Sequence, residues 1–90
     1  MERRHVKLKV FVMEGCPNCP EAKRIAREVA EELGLSYVEV DIGKPDGQIE
    51  GLMLQIASTP SIALEDEVLV RGRVLPKDEL MREVLRRLER

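Results

Sequence analysis

Two side chains offer thiol chemistry at close spacing: Cys16 and Cys19, in the run Cys16-Pro17-Asn18-Cys19, and they are the only cysteines of the chain. Three uses are open to such a pair. A structural staple is the weakest of them. The loop it would close is worth about 2 kcal/mol in chain entropy, against about 4.7 kcal/mol for a loop near 100 residues. A metal centre is the second use. Zinc or an iron–sulfur cluster takes four protein ligands as a rule, and beyond the two thiols the chain has one histidine, His5, eleven residues before Cys16. One chain cannot close that shell, although two chains giving two thiolates each could. The third use is a redox dithiol, the common meaning of C-x-x-C beside a β-α-β pattern in an intracellular protein.

The elements around the pair decide how it is presented. Val6, Leu8, Val10 and Val12 alternate with Lys7, Lys9, Phe11 and Met13, which predicts a strand that is apolar on both faces by its end. Gly15 breaks it. From Pro17 a helical pattern follows, with Ala22, Ile25, Ala26, Val29, Ala30 and Leu33 on one face and Gly34 as the stop. The charged residues 21, 23, 24, 27, 28, 31 and 32 read as its solvated face. Leu35–Ile42 predicts a second strand, and residues 43–47 a loop by their turn residues. Ile49, Leu52, Met53 and Ile56 make a short amphipathic helix. Ser61–Leu64 and Val68–Val70 flank Glu65-Asp66-Glu67 as a hairpin that Gly72 ends. Pro76 suits the first position of a closing helix, which carries Leu80, Val84, Leu85 and Leu88 on its apolar face. The predicted order is β-α-β-α-β-β-α, with no repeat and no linker, in a single domain over residues 1–90.

The pair therefore falls at a strand-to-helix junction, with Cys16 expected at or beside the helix N-cap. The first turn of a helix offers unpaired N–H groups and the positive end of the macrodipole. Both favour a thiolate over a thiol. Cys16, first in the chain, should face solvent, and Cys19 should lie one turn inward. Pro17 fits a first turn, where its missing N–H goes unused. On this reading Cys16 attacks and Cys19 resolves.

Composition removes other function classes. Apolar residues form 43% of the chain, enough for one core, while 15 basic and 17 acidic residues leave a net charge of −2. Nucleic-acid binding needs a basic surplus on one face, and one Phe, one Tyr and no Trp give no stacking platform. No apolar run reaches the ~18 residues of a membrane span. The charged start, Met1 to His5, does not read as a signal peptide. A soluble, cytoplasmic protein is expected. One Asn, two Gln and abundant Arg and Glu resemble the thermophile habit.

With Cys16-Pro17-Asn18-Cys19 after a strand, Thr59-Pro60 before one and Gly72 after the last, the chain resembles the thioredoxin-fold superfamily, in particular the small glutaredoxin-like thioredoxins. The likeness spans roughly residues 5 to 89. It implies an α/β thioredoxin-like fold, a four-stranded mixed sheet with helices on both faces. It also implies a cis bond at Pro60, placed against the disulfide, and a Thr59 backbone that pairs with an extended substrate segment. The departures are specific. Val10 and Gly15 stand where typical thioredoxins carry a buried acid and a Trp, and Glu14 is the nearest acid, read as a loop carboxylate. Asn18 and Arg71-Gly72-Arg73 replace the Tyr and Gly-Gly pair of typical glutaredoxins. Met13 invites comparison with soft-metal domains, but their element order differs, so Met13 is read as core packing under the loop. His5, Arg71 and Arg73 are read as surface residues and Tyr37 as sheet packing.

The resulting expectation is a thiol–disulfide oxidoreductase that reduces protein disulfides through a mixed disulfide. Cys16 and Cys19 are its catalytic pair, and Pro17, Asn18, Thr59, Pro60 and Gly72 contact the substrate. The Cys16–Cys19 disulfide serves in place of any separate cofactor, and no metal ligand is assigned. Its partners would be disulfide-containing proteins and a flavin-dependent reductase or a low-molecular-weight thiol, with the chain acting as a monomer. The competing expectation is a metal-binding or metal-delivery module built on the same C-x-x-C, closed as a dimer.

Overall fold

A computed structural model describes residues 3–89; residues 1, 2 and 90, and with them the extreme ends of the expected domain and of the charged start, lie outside the described residues. The elements run β1 (Arg3–Val12), α1 (Cys19–Leu33), β2 (Leu35–Asp41), α2 (Pro45–Met53), β3 (Ser61–Leu64), β4 (Glu67–Arg71) and α3 (Lys77–Leu88). The order is the one read from the sequence. The four strands form one sheet in the order β2-β1-β3-β4, with β1 parallel to β2 and antiparallel to β3, and β3 antiparallel to β4. It is the mixed sheet expected of a thioredoxin-like fold.

Alternation along β1 sends its side chains to two cores. Leu8 and Val10 join Ala22, Ile25, Ala26, Val29 and Ala30 of α1 and Leu80 and Val84 of α3 in the larger cluster. Phe11 faces the other way, with Val40, Ile56 and Ala63, under the α2 side. The α1 periodicity is therefore realised residue for residue, and Gly34 closes the helix in the left-handed region at φ 71°. In α3, Pro76 is the N-cap rather than the first helical residue. Leu85 is left exposed on that helix, and Met81 packs against the core.

The helix α2 departs from the sequence reading. It begins at Pro45, inside the expected loop, because proline fits a first turn. Its apolar residues do not face the core: Ile49, Leu52 and Met53 are 59%, 70% and 78% exposed. Gly47 and Gly51 are buried instead. A Cβ on Gly47 would collide with the Asp41 carbonyl, lying 2.6 Å from its carbon. The helix backbone thus lies directly on the end of β2, and no side chain separates them. Lys9 of β1 helps hold it there, donating to Glu50 at 2.6 Å. Burial disfavours the Lys9 charge, but the Glu50 and Asp66 carboxylates outweigh it and raise the pKa.

Candidate active site

The strand registers gather the expected residues at one end of the sheet. Val12, the last residue of β1, pairs with Asp41, the last of β2. Phe11 pairs with Ser61, and Ser61 with Arg71. The loop that leaves β1 toward Cys16, the Thr59–Pro60 step into β3 and Gly72 after β4 therefore share that end.

The dithiol loop has its own geometry. After Val12 the chain turns, with Gly15 at φ 82° and the Cys16 N–H donating to the Met13 carbonyl at 3.2 Å. Cys16 and Cys19 form a disulfide with Cα atoms 5.4 Å apart, inside the normal range. Cys16 is half-buried and Cys19 is 4% exposed. The helix, however, starts later than expected. Asn18 is the N-cap and Cys19 the first helical residue, so Cys16 stands two residues outside the cap. Pro20 explains this. A helix from Pro17 would need the residue-20 N–H to reach the Cys16 carbonyl, and proline has none. The first such bond runs from Ala22 to Asn18, at 3.2 Å. Pro20, and not Pro17, occupies the first turn, while Pro17 and Asn18 form an exposed turn.

Met13 is a second correction. It is 45% exposed and is not core packing. The strand ends at Val12, so Met13 leaves the in-and-out alternation and borders a cleft of about 500 Å³ beside the disulfide. That cleft runs from the Met13–Cys16 loop past Cys19, Pro20 and Lys23 of α1 to Glu39 and Asp41 of β2 and Lys44. Glu14, expected to be a loop carboxylate, is exposed along its rim. The charged wall was not legible because it forms only when β2 lies beside α1. Within it Glu39 accepts from the Tyr37 hydroxyl at 2.8 Å and from Arg27 at 3.4 Å. Burial, reinforced by that bond to Glu39, pushes the Tyr37 phenol well above its ordinary range. Tyr37 also packs against the core and lies under the Arg27 guanidinium, 5.0 Å from its ring centre, in keeping with a packing role.

On the opposite flank of β1 lie Thr59, Pro60 and Gly72. The Thr59–Pro60 bond is cis, Pro60 is fully buried and Thr59 half-buried. Gly72 sits at φ 76°, where a Cβ would fall 2.6 Å from the Ser58 hydroxyl. Ser61, read from sequence only as the first residue of a strand, ties this flank together. It is completely buried, donates to the Ser58 carbonyl at 2.7 Å and accepts from the Gly72 N–H at 3.2 Å. Arg71 donates to the Leu54 and Gln55 carbonyls beyond α2, at 3.1 and 3.3 Å. Arg73 and His5 are exposed, as expected of surface residues.

A thioredoxin-domain family model matches residues 6–86 of the chain. The chain belongs to the thioredoxin family. A probable thioredoxin of Archaeoglobus fulgidus is 29% identical over 84 residues, which cover 93% of this chain and 90% of that one. A thioredoxin of Methanocaldococcus jannaschii is 32% identical over 84 residues, 92% of this chain and 96% of its own. Among solved structures, a mutant thioredoxin from Halobacterium salinarum superimposes with a TM-score of 0.73 at 17% identity, covering 88% of this chain and 71% of that one. The sheet order and the three helices agree with that fold. A thioredoxin-family chain with its two cysteines at disulfide distance is a thiol–disulfide oxidoreductase, and thioredoxins act on disulfide-containing proteins. Among the described residues, no helix is long and apolar enough to cross a membrane.

Proposed function

We propose that this chain reduces protein disulfides by a two-step exchange in which Cys16 attacks and Cys19 resolves. The observation that carries this reading is the unequal burial of the two sulfur-bearing residues in one loop: Cys16 half-buried, Cys19 4% exposed. In the first step the Cys16 thiolate attacks a substrate disulfide. A bond forms between Cys16 and one substrate sulfur, and the other substrate sulfur leaves as a thiolate. In the second, Cys19 loses its proton and attacks the Cys16 sulfur. The Cys16–Cys19 disulfide forms, the remaining substrate sulfur leaves, and two electrons have passed to the substrate. Pro17 and Asn18 are exposed where an incoming chain would lie, and the Thr59 backbone and Gly72 offer the edge along which it would extend, with the buried Pro60 beneath that edge.

The dithiol carries the electrons, so the reaction calls for no separate cofactor. A flavin-dependent reductase or a low-molecular-weight thiol returns the pair to its reduced form. The chain is taken to act in the cytoplasm, as a monomer. The test is turnover of a protein disulfide, compared with a thioredoxin reductase and with glutathione as electron source, alongside metal analysis of protein purified under reducing conditions. Catalysed reduction by metal-free protein supports the reading. Stoichiometric metal on the thiolates with no turnover would return the C-x-x-C to the metal-binding alternative.

A further inference from the structure

The wall of the cleft beside the disulfide carries a lysine one helical turn from the dithiol. Lys23 follows Cys19 by four residues, and helical side chains lean toward the N-terminus. That lean sets the Lys23 side chain on the dithiol side of its own Cα, and Lys23 is half-buried in the wall that it shares with Cys16 and Cys19. Its neighbours on α1 are neutralised: Arg24 pairs with Glu28 at 3.1 Å and Arg27 with Glu39 at 3.4 Å. Among the described residues, no carboxylate lies within ion-pair distance of Lys23.

The other charges facing the cleft come from three elements. Glu39 on β2 is engaged by Tyr37 and Arg27. Asp41, at the end of β2, accepts the Gly43 N–H at 2.8 Å. Glu14 is exposed on the loop, and Lys44, the N-cap of α2, is exposed at the far margin. Lys23 is thus the cleft cation anchored one helical turn from Cys19. Cys16 stands two residues outside the N-cap, so the helix terminus acts on it only from beyond its first turn. Helix-terminus stabilisation falls off within about one turn.

Resting on the oxidoreductase reading, we propose that Lys23 is a positioning residue for charge: its ammonium favours the Cys16 thiolate in the reduced protein, the proton passing to solvent. Lys23 itself forms no bond to substrate.

The test is the rate of iodoacetamide alkylation of Cys16 in the reduced full-length chain, followed against pH by peptide mass mapping. Lys23→Gln should move the midpoint up by roughly half a pH unit, the effect of a unit charge about one turn away in a largely solvated site. Lys23→Glu should move it by about one unit, and Lys23→Arg should restore the parent value. Raising salt to about 1 M should shrink the difference. Arg24→Gln, which removes a charge already paired on the same helix, should leave the midpoint in place. A parent midpoint below a free thiol's that neither Lys23→Gln nor Lys23→Glu moves would overturn this inference alone. An equal shift from Arg24→Gln would overturn it too, by reducing the effect to net charge. An ordinary thiol midpoint in the parent would instead overturn the attacking role of Cys16, and the inference with it.

Discussion

Gly47→Ala is the sharpest test of how α2 is seated. The added methyl would lie 2.6 Å from the Asp41 carbonyl carbon and 3.2 Å from Val40 Cγ1, and closer still to the Asp41 oxygen. The obstacle is strand backbone, so no rotamer change relieves it, and α2 must lift from β2 by about 1 Å or more. Overpacking of this kind costs about 1–3 kcal/mol, and the upper end applies where backbone must move. Alanine recovers about 1 kcal/mol in helix propensity. The net is a loss of about 2 kcal/mol, or a Tm lower by roughly 8–16 °C for a domain of this size. Gly51→Ala supplies the contrast. Its methyl would meet Ile42 Cγ2 at 3.2 Å, a side chain that can give, and the Ile56 oxygen at 3.5 Å. There propensity and contact should nearly cancel. Urea unfolding of the oxidised proteins, followed by circular dichroism, measures both. A Gly47→Ala protein as stable as the parent, or one no less stable than Gly51→Ala, would refute the direct seating of α2 on β2.

Three further outcomes follow from the same packing. Tyr37 is the only tyrosine and there is no tryptophan, so absorbance near 295 nm reports its ionisation alone. The native transition should lie above the ordinary value of 10.0 and return to it in denaturant. Because the folded phenol keeps its proton where the unfolded one loses it, its contribution to stability is complete below about pH 10 and is lost as pH rises through the folded pKa. A native midpoint at or below 10 would contradict its burial. Ser61→Ala should cost about 1–2 kcal/mol in urea unfolding by stranding the Gly72 N–H and the Ser58 carbonyl, and an unchanged midpoint would show that Ser61 does not tie that flank. Gly72→Ala should cost about 1–2 kcal/mol through its left-handed backbone alone, plus the clash with Ser58. Adding Ser58→Ala should recover only the second part, and full recovery would show that the backbone of residue 72 is free to move.

Much of this arrangement was legible from residue spacing, and the failures have a common cause. The α1 face from Ala22 to Ala30 and the alternation of β1 each answer to one element's own period, so each could be read without knowing its neighbours. The Ile49, Leu52 and Met53 pattern has the same helical spacing yet faces solvent, because α2 docks through Gly47 and Gly51. The usable signal was that pair of glycines four apart, which hydrophobic counting passes over. Cys16 and Cys19 were found by type and spacing. The helix starts later than its apolar pattern implies because Pro17 and Pro20 both suit a first turn, and Pro20, with its missing donor, fixes the boundary. The cleft's charged wall depends on the packing of α1 beside β2. Ser61 was silent for a different reason: a serine becomes informative only once it is known to be buried.

The most direct test of the exchange mechanism is trapping. Cys19→Ser and Cys16→Ser proteins, each reduced and then exposed to a disulfide-bonded protein substrate, can be quenched with acid and analysed by non-reducing gels and mass spectrometry. The mechanism requires mixed disulfides to accumulate on Cys16 of the Cys19→Ser protein, because attack survives and resolution is lost. The Cys16→Ser protein, with only the 4% exposed Cys19 remaining, should trap far fewer. Equal trapping by both proteins, or adducts found on Cys19 alone, would contradict the division of labour between the two thiols.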